Sequence, residues 1–150
     1  APSALPAATP TQRSVPPAAA ILNGVQVLVV DDEPDARELV AEVLMEAGAV
    51  VETARSAADG FTAFRRSRPD VLVSDIGMPD EDGFSFMRRI RALPADEGGR
   101  LPSLALTAFA REQDRTRAIQ NGFTTHIGKP VNPDALVSAV ANLAAVARRN

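Results

Sequence analysis

The sequence predicts an α/β fold, with a parallel five-stranded sheet covered by five helices on both faces. Three observations lead there. Short runs rich in β-branched residues alternate five times with stretches whose apolar residues recur at three- and four-residue spacing. The connections between them are short. Residues able to do chemistry fall where the runs end, and in parallel sheets ligands gather beyond the carboxyl ends of the strands.

Val25-Gln26-Val27-Leu28-Val29-Val30 stops abruptly at Asp31-Asp32, as a strand buried on both faces does. Ala36, Leu39, Val40, Val43, Leu44 and Ala47 then mark one face of a helix that Gly48 ends. Val50 to Thr53 forms the second strand. Ser56 caps a helix carrying Ala57, Phe61 and Phe64 on one face. Val71-Leu72-Val73-Ser74, after Pro69, is the third strand, and Gly83 precedes a helix with Phe84, Met87 and Ile90. Leu104-Ala105-Leu106 is the fourth strand, Arg111 to Asn121 a helix closed by Gly122, and Thr124 to Ile127 the fifth strand. Asn132-Pro133 opens the last helix with a cap and a first-turn proline. The crossovers between strands are expected to be right-handed.

A chain of 150 residues fits one domain and a tail. Its uninterrupted apolar runs are only a few residues long, too short to span a bilayer, so no membrane contact is expected. A net charge of −3 and the lack of Trp and Tyr argue against nucleic-acid binding. With no cysteine there are no disulfides, which suits a cytoplasmic location. Residues 1–23 hold five of the twelve prolines, seven alanines and a single charge, Arg13, and are expected to form an extended or disordered linker. They lack the basic start and continuous apolar stretch of a signal peptide. The folded domain is then expected over 24–147, with a tail at 148–150. The missing initiator Met suggests a piece of a longer protein.

The polar residues at the strand ends define a candidate site. Strand one ends at Asp31 and Asp32, strand three at Asp75, strand four at Thr107, and strand five leads into Lys129. Three carboxylates a few ångströms apart repel one another, and a divalent cation relieves that repulsion. Oxygen donors without Cys or His indicate a hard ion, and Mg²⁺ takes a few carboxylates while leaving room for water and phosphate oxygens. Helix capping would account for Glu33 or Asp35 near Pro34, but not for Asp75, which belongs to another repeat. Fifteen of the sixteen basic residues are arginine, so Lys129, the lone lysine, calls for a reason. A compact point charge differs from a planar fork. Beside an aspartate that accepts a phosphoryl group, Lys129 could pair with one phosphoryl oxygen and the Thr107 hydroxyl could hydrogen-bond another.

Val29-Val30-Asp31-Asp32-Glu33-Pro34, Ser74-Asp75-Ile76-Gly77-Met78-Pro79, Asp82-Gly83, Leu106-Thr107-Ala108 and Gly128-Lys129-Pro130 together resemble the CheY-like receiver domain of two-component response regulators. Each motif alone is weak; five in order at the right strand ends are specific. The resemblance covers roughly residues 24 to 147. It implies a flavodoxin-like strand order of 2-1-3-4-5 and makes Asp75 the phosphoacceptor. It also implies that Asp32 binds Mg²⁺ directly, with Mn²⁺ able to substitute, that Asp31 does so through water, and that the Gly77 backbone carbonyl completes the set. Thr107 and Lys129 would contact the phosphoryl group, and the Lys129–Pro130 peptide would be cis. The position three before the lysine, usually aromatic in the family, is His126. Its implied role is a steric switch that fills the space Thr107 vacates on activation. Gly77 and Phe109 offer no amide or carboxylate to orient an attacking water, so slow hydrolysis of the aspartyl phosphate is expected. Glu81 stands where the family often has an apolar residue.

The implied activity is acceptance of a phosphoryl group from a phosphohistidine on a histidine kinase or phosphotransfer domain, followed by a conformational switch. The domain would catalyse only its own phosphorylation and dephosphorylation, although a parent protein could be a histidine kinase. A Pro/Ala linker before the domain resembles the C-terminal receiver of a hybrid sensor histidine kinase; a stand-alone regulator is the alternative. The helix at 111–121, the last strand and the last helix would serve output or homodimerisation. An aspartate-nucleophile phosphatase would usually place a second acid where Gly77 stands and would need a cap. A phosphorylation-independent module would be favoured by loss of an acid, Thr107 or Lys129, and none is lost. A nucleotide-binding flavodoxin-like protein would need a glycine-rich phosphate loop, which is missing.

Overall fold

The computed structural model describes residues 21–108 and 112–149, with the side chains of 148 and 149 left aside; expectations for residues 1–20, Phe109, Arg111 and Asn150 lie outside them. From Gln26 the elements are β1 (Gln26–Val30), α1 (Pro34–Glu46), β2 (Val50–Ala54), α2 (Ala57–Ser67), β3 (Val71–Asp75) and α3 (Gly83–Arg91). A short 3₁₀ helix (Ala95–Glu97) precedes β4 (Ser103–Thr107), α4 (Glu112–Gln120), β5 (Thr125–Gly128) and α5 (Pro133–Arg149). The strands are all parallel, in the order β2-β1-β3-β4-β5, as the resemblance implies.

β1, β3 and β4 occupy the middle of the sheet, which is why their sequences are apolar on both faces. Alternate residues feed two cores. Val27, Val29, Val71, Val73, Leu104 and Leu106 pack with Val40 and Leu44 of α1 and with Leu136 and Val140 of α5. Leu28, Val30, Leu72 and Ala105 pack with Phe64 of α2 and with Phe86, Met87 and Ile90 of α3. Each fully buried aliphatic or aromatic side chain contributes about 1.5–3 kcal/mol, so these two layers hold the rim of the sheet in place.

Local signals set the boundaries. Glu33 accepts a hydrogen bond from the Asp35 amide, Ser56 from Asp59, Asp82 from Ser85 and Asn132 from Ala135, so four helices begin at side-chain caps. Gly48 and Gly122, with φ of 102° and 109°, supply the left-handed turn that ends α1 and α4. Three details differ from expectation. Leu22, expected in the linker, is fully buried in the first core, and its amide donates to the Ala47 carbonyl at 2.9 Å. An Ile-Leu pair after an Ala/Pro stretch has no period to read. Leu39, expected on the buried face of α1, is 55% exposed, because the stripe that meets the sheet is the narrower set Val40, Ala41 and Leu44. Phe86 is fully buried alongside Phe84, Met87 and Ile90, since α3 is covered on more than one side.

Candidate functional site

Pairing of β1 with β3 sets Val30 opposite Ser74, so the chains leave the sheet side by side at Asp31-Asp32 and Asp75. One carboxylate oxygen from each of Asp31, Asp32 and Asp75 lies within 4.8 Å of the others. Asp31 is fully buried and Asp32 half-buried. The Asp31 Oδ1 accepts the Glu33 amide at 3.0 Å, and its backbone carbonyl accepts Arg37 Nη1 at 2.9 Å. β4 and β5 pair with Thr107 opposite Gly128, which brings Lys129 to the same edge. The Lys129 amide donates to the Thr107 carbonyl at 2.7 Å. Its Nζ lies 3.1 Å from Asp75 Oδ1 and 3.5 Å from Asp31 Oδ2. The Lys129–Pro130 peptide is cis, as the resemblance implies.

Thus Asp31, Asp32, Asp75, Thr107 and Lys129, spread over 99 residues of sequence from first to last, meet at one rim. Gly77 is exposed on the loop that leaves β3. That loop returns tightly: the Gly83 amide donates to the Ile76 carbonyl at 2.8 Å. A Cβ on Gly83 would sit 2.5 Å from the Asp75 carbonyl oxygen, so only glycine fits where α3 begins against the acceptor strand. His126 lies on β5 opposite Ala105, half-buried, its Nδ1 buried and without a hydrogen-bond partner among the described residues.

The electrostatics follow from three carboxylates facing one ammonium. Burial pushes the Asp75 carboxyl above its ordinary 3.8, and the charge on Asp31 pushes the same way; Lys129 offsets only part of this. Burial also works against the Lys129 charge, but its contacts with Asp75 and Asp31 prevail and raise it above 10.5. One lysine shared between two acids gains from both, while Asp75 is only partly compensated. The shortfall of positive charge, with oxygen as the only donor type, is what a hard divalent cation fits. Sequence reasoning missed Arg37, which braces Asp31 from the first turns of α1; nothing distinguishes it among fifteen arginines.

A model of the response regulator receiver domain family matches residues 27–141. The chain belongs to this family. An uncharacterised 14.6 kDa protein of Leptolyngbya boryana is 44% identical over 119 residues, covering 79% of this chain and 89% of that protein. The sensor histidine kinase RcsC of Salmonella typhi is 34% identical over 119 residues, but these make up 79% of this chain and only 12% of the kinase. Among solved structures, a response regulator of Chloroflexus aurantiacus, described there as putative, superposes with a TM-score of 0.77 at 30% identity, covering 82% of this chain and 99% of that one. This receiver domain therefore belongs to two-component signalling. Receiver domains accept phosphate from histidine kinases or phosphotransfer domains and generally bind Mg²⁺ through an acidic cluster, and such a cluster is present here. No helix among the described residues is long and apolar enough to cross a membrane.

Proposed function

We propose that Asp75 is the phosphoacceptor of this receiver domain and takes its phosphoryl group from a phosphohistidine. The observation that carries the reading is the contact of Lys129 Nζ with Asp75 Oδ1 at 3.1 Å, inside the acid cluster and at the mouth of β3. In the transfer a carboxylate oxygen of Asp75 forms the new bond to phosphorus as the phosphorus–nitrogen bond to the donor imidazole breaks, and the imidazole leaves with the electron pair. The transition state is loose, so the protein's work is positioning and charge neutralisation. Lys129 is placed to pair with one equatorial oxygen, and the Thr107 hydroxyl to hydrogen-bond another. Asp32 and Asp75 would hold Mg²⁺, with Asp31 joining through water and Gly77 through its carbonyl; Mn²⁺ fits the same donors. Bound there, the ion supplies positive charge to the carboxylates and to the incoming phosphoryl oxygens.

His126 is the proposed switch: movement of Thr107 toward the phosphoryl group frees volume that the ring can enter. The donor is proposed to dock on the rim and the start of α1, around Pro34, Ala36 and Leu39, where the exposure of Leu39 offers an apolar contact. Output or homodimerisation is proposed to run through α4, β5 and α5. Likeness to one segment of RcsC supports the receiver of a hybrid histidine kinase as the parent, with the Pro/Ala-rich stretch before Ile21 as its linker and the receiver running from the buried Leu22, not from residue 24, to the end of α5 at Arg149, not to residue 147. The reading is tested by mixing the chain with a purified phosphohistidine domain carrying radiolabelled phosphate. Label should move to the chain only with Mg²⁺ and not to Asp75→Asn. Transfer to the Asn variant would overturn the assignment.

A further inference from the structure

Glu81 departs from the apolar residue expected at its position, and the structure gives it partners. Its carboxylate receives Arg89 Nε and Nη2 at 2.8 Å each, and Ser85 Oγ at 3.0 Å. The Arg89 guanidinium lies over the ring of Phe61 in α2, 4.3 Å from its centroid, and Arg65 approaches the same ring at 6.0 Å. Arg89 in particular holds the Glu81 carboxyl below its ordinary 4.5. An isolated surface ion pair contributes little, but this one is bidentate, has a third hydrogen bond and is stacked on an aromatic face.

What the clamp holds is the loop that carries Gly77. The inner part of that loop is fastened near the sheet: the Ile76 amide donates to the Leu106 carbonyl at 3.3 Å, the Met78 amide to the Ile76 carbonyl at 3.0 Å, and the Met78 side chain is buried. Its outer arm is less settled. Asp80 sits at φ 69°, a conformation that costs a non-glycine residue, and both Pro79 and Asp80 are exposed. Asp82 is committed to capping α3. Glu81 is the side chain that ties this arm across α3 to α2.

We propose that the Glu81–Arg89–Phe61 clamp fixes the conformation of the loop bearing Gly77 and thereby sets the affinity of the acid cluster for a divalent cation. The proposal rests on the reading of Asp31, Asp32, Asp75 and Gly77 as the cation site. Groups that hold ligands in place without touching the ion commonly change affinity by about 10–100-fold when lost; a clamp acting on one ligand-bearing loop should change it by about three- to tenfold. Calorimetric titration of the full chain with Mg²⁺ tests this, using wild type, Glu81→Gln, Arg89→Met and the double variant. Arg66→Met, which breaks the surface pair with Glu52, serves as control. Each single variant should bind Mg²⁺ about three- to tenfold more weakly, the double variant no worse than the weaker single, and the control within about twofold of wild type. Amide hydrogen exchange at Gly77 to Asp82 should quicken in the metal-free clamp variants. Variants that lose thermal stability but bind Mg²⁺ like wild type would reduce the clamp to a structural contact and overturn the proposal. A wild-type chain that takes no Mg²⁺ at millimolar concentration would instead remove the site reading beneath it.

Discussion

Replacing Asp75 with Asn should stabilise the metal-free protein at neutral pH. Asp75 is 7% exposed, and one of its oxygens lies within 4.8 Å of an Asp31 oxygen. At an effective dielectric of about 20, that repulsion is at least about 3.5 kcal/mol. Lys129 at 3.1 Å returns about 5.4 kcal/mol on the same scale. The two differ by only about 2 kcal/mol, so the cost of burying the charge decides the sign. The Asp75 carboxyl is raised above 3.8 chiefly by burial, so the unfolded chain gives up this proton more readily than the folded one. Stability is therefore lost as pH rises from 3.8 through the folded value, and the full penalty is present above it. Asn removes the penalty, for a gain of about 1 kcal/mol or roughly 3–5 °C in melting temperature at pH 7. The assay is thermal unfolding by circular dichroism in EDTA, at pH 7 and again below pH 3.8, where the difference should vanish. Millimolar Mg²⁺ should narrow or reverse it, because only wild type keeps the acceptor carboxylate as a ligand. An Asn variant that melts at or below wild type at pH 7 in EDTA would refute the reasoning, since the Lys129 pair would then outweigh burial.

Two stability predictions follow from other contacts. Gly83→Ala places a Cβ 2.5 Å from the Asp75 carbonyl oxygen and 2.8 Å from Ile76 Cα, backbone atoms that cannot swing aside. Urea unfolding should show a loss of about 2–3 kcal/mol with an unchanged m-value, and full stability in the variant would mean the loop yields freely. Arg91 reaches the carbonyls of Gly99, Leu101 and Gly122 at 2.7–2.9 Å, tying the end of α3 to the approach to β4 and to the turn before β5. Arg91→Met should cost about 2–4 kcal/mol in the same assay, because three partly buried acceptors lose a charged donor; a loss below about 0.5 kcal/mol would mean water replaces it.

Most of the site was legible because its chemistry sits at strand ends. Asp31, Asp75 and Thr107 each close an apolar run that hydrophobic pattern alone delimits, and the fold class then gathers them. Lys129 stood out as the single lysine. What stayed hidden depends on where side chains reach, not on where they fall in the chain. Arg37, Arg89 and Arg91 look alike in a sequence with fifteen arginines, yet one braces Asp31, one clamps Glu81 and one ties two loops through three carbonyls. Glu81 was visible as a departure, but its partner lies two turns along α3 and its platform on α2. The short helix at Ala95–Glu97 has no buried residue and so no hydrophobic period to announce it.

The central claim is that Asp75 carries the phosphoryl group, and intact-mass analysis after incubation with acetyl phosphate and Mg²⁺ tests it most directly. One labile, Mg²⁺-dependent phosphoryl adduct that maps to Asp75, and is missing from Asp75→Asn, is the predicted result. An adduct on another residue, or none even with a phosphorylated kinase supplied, would contradict it.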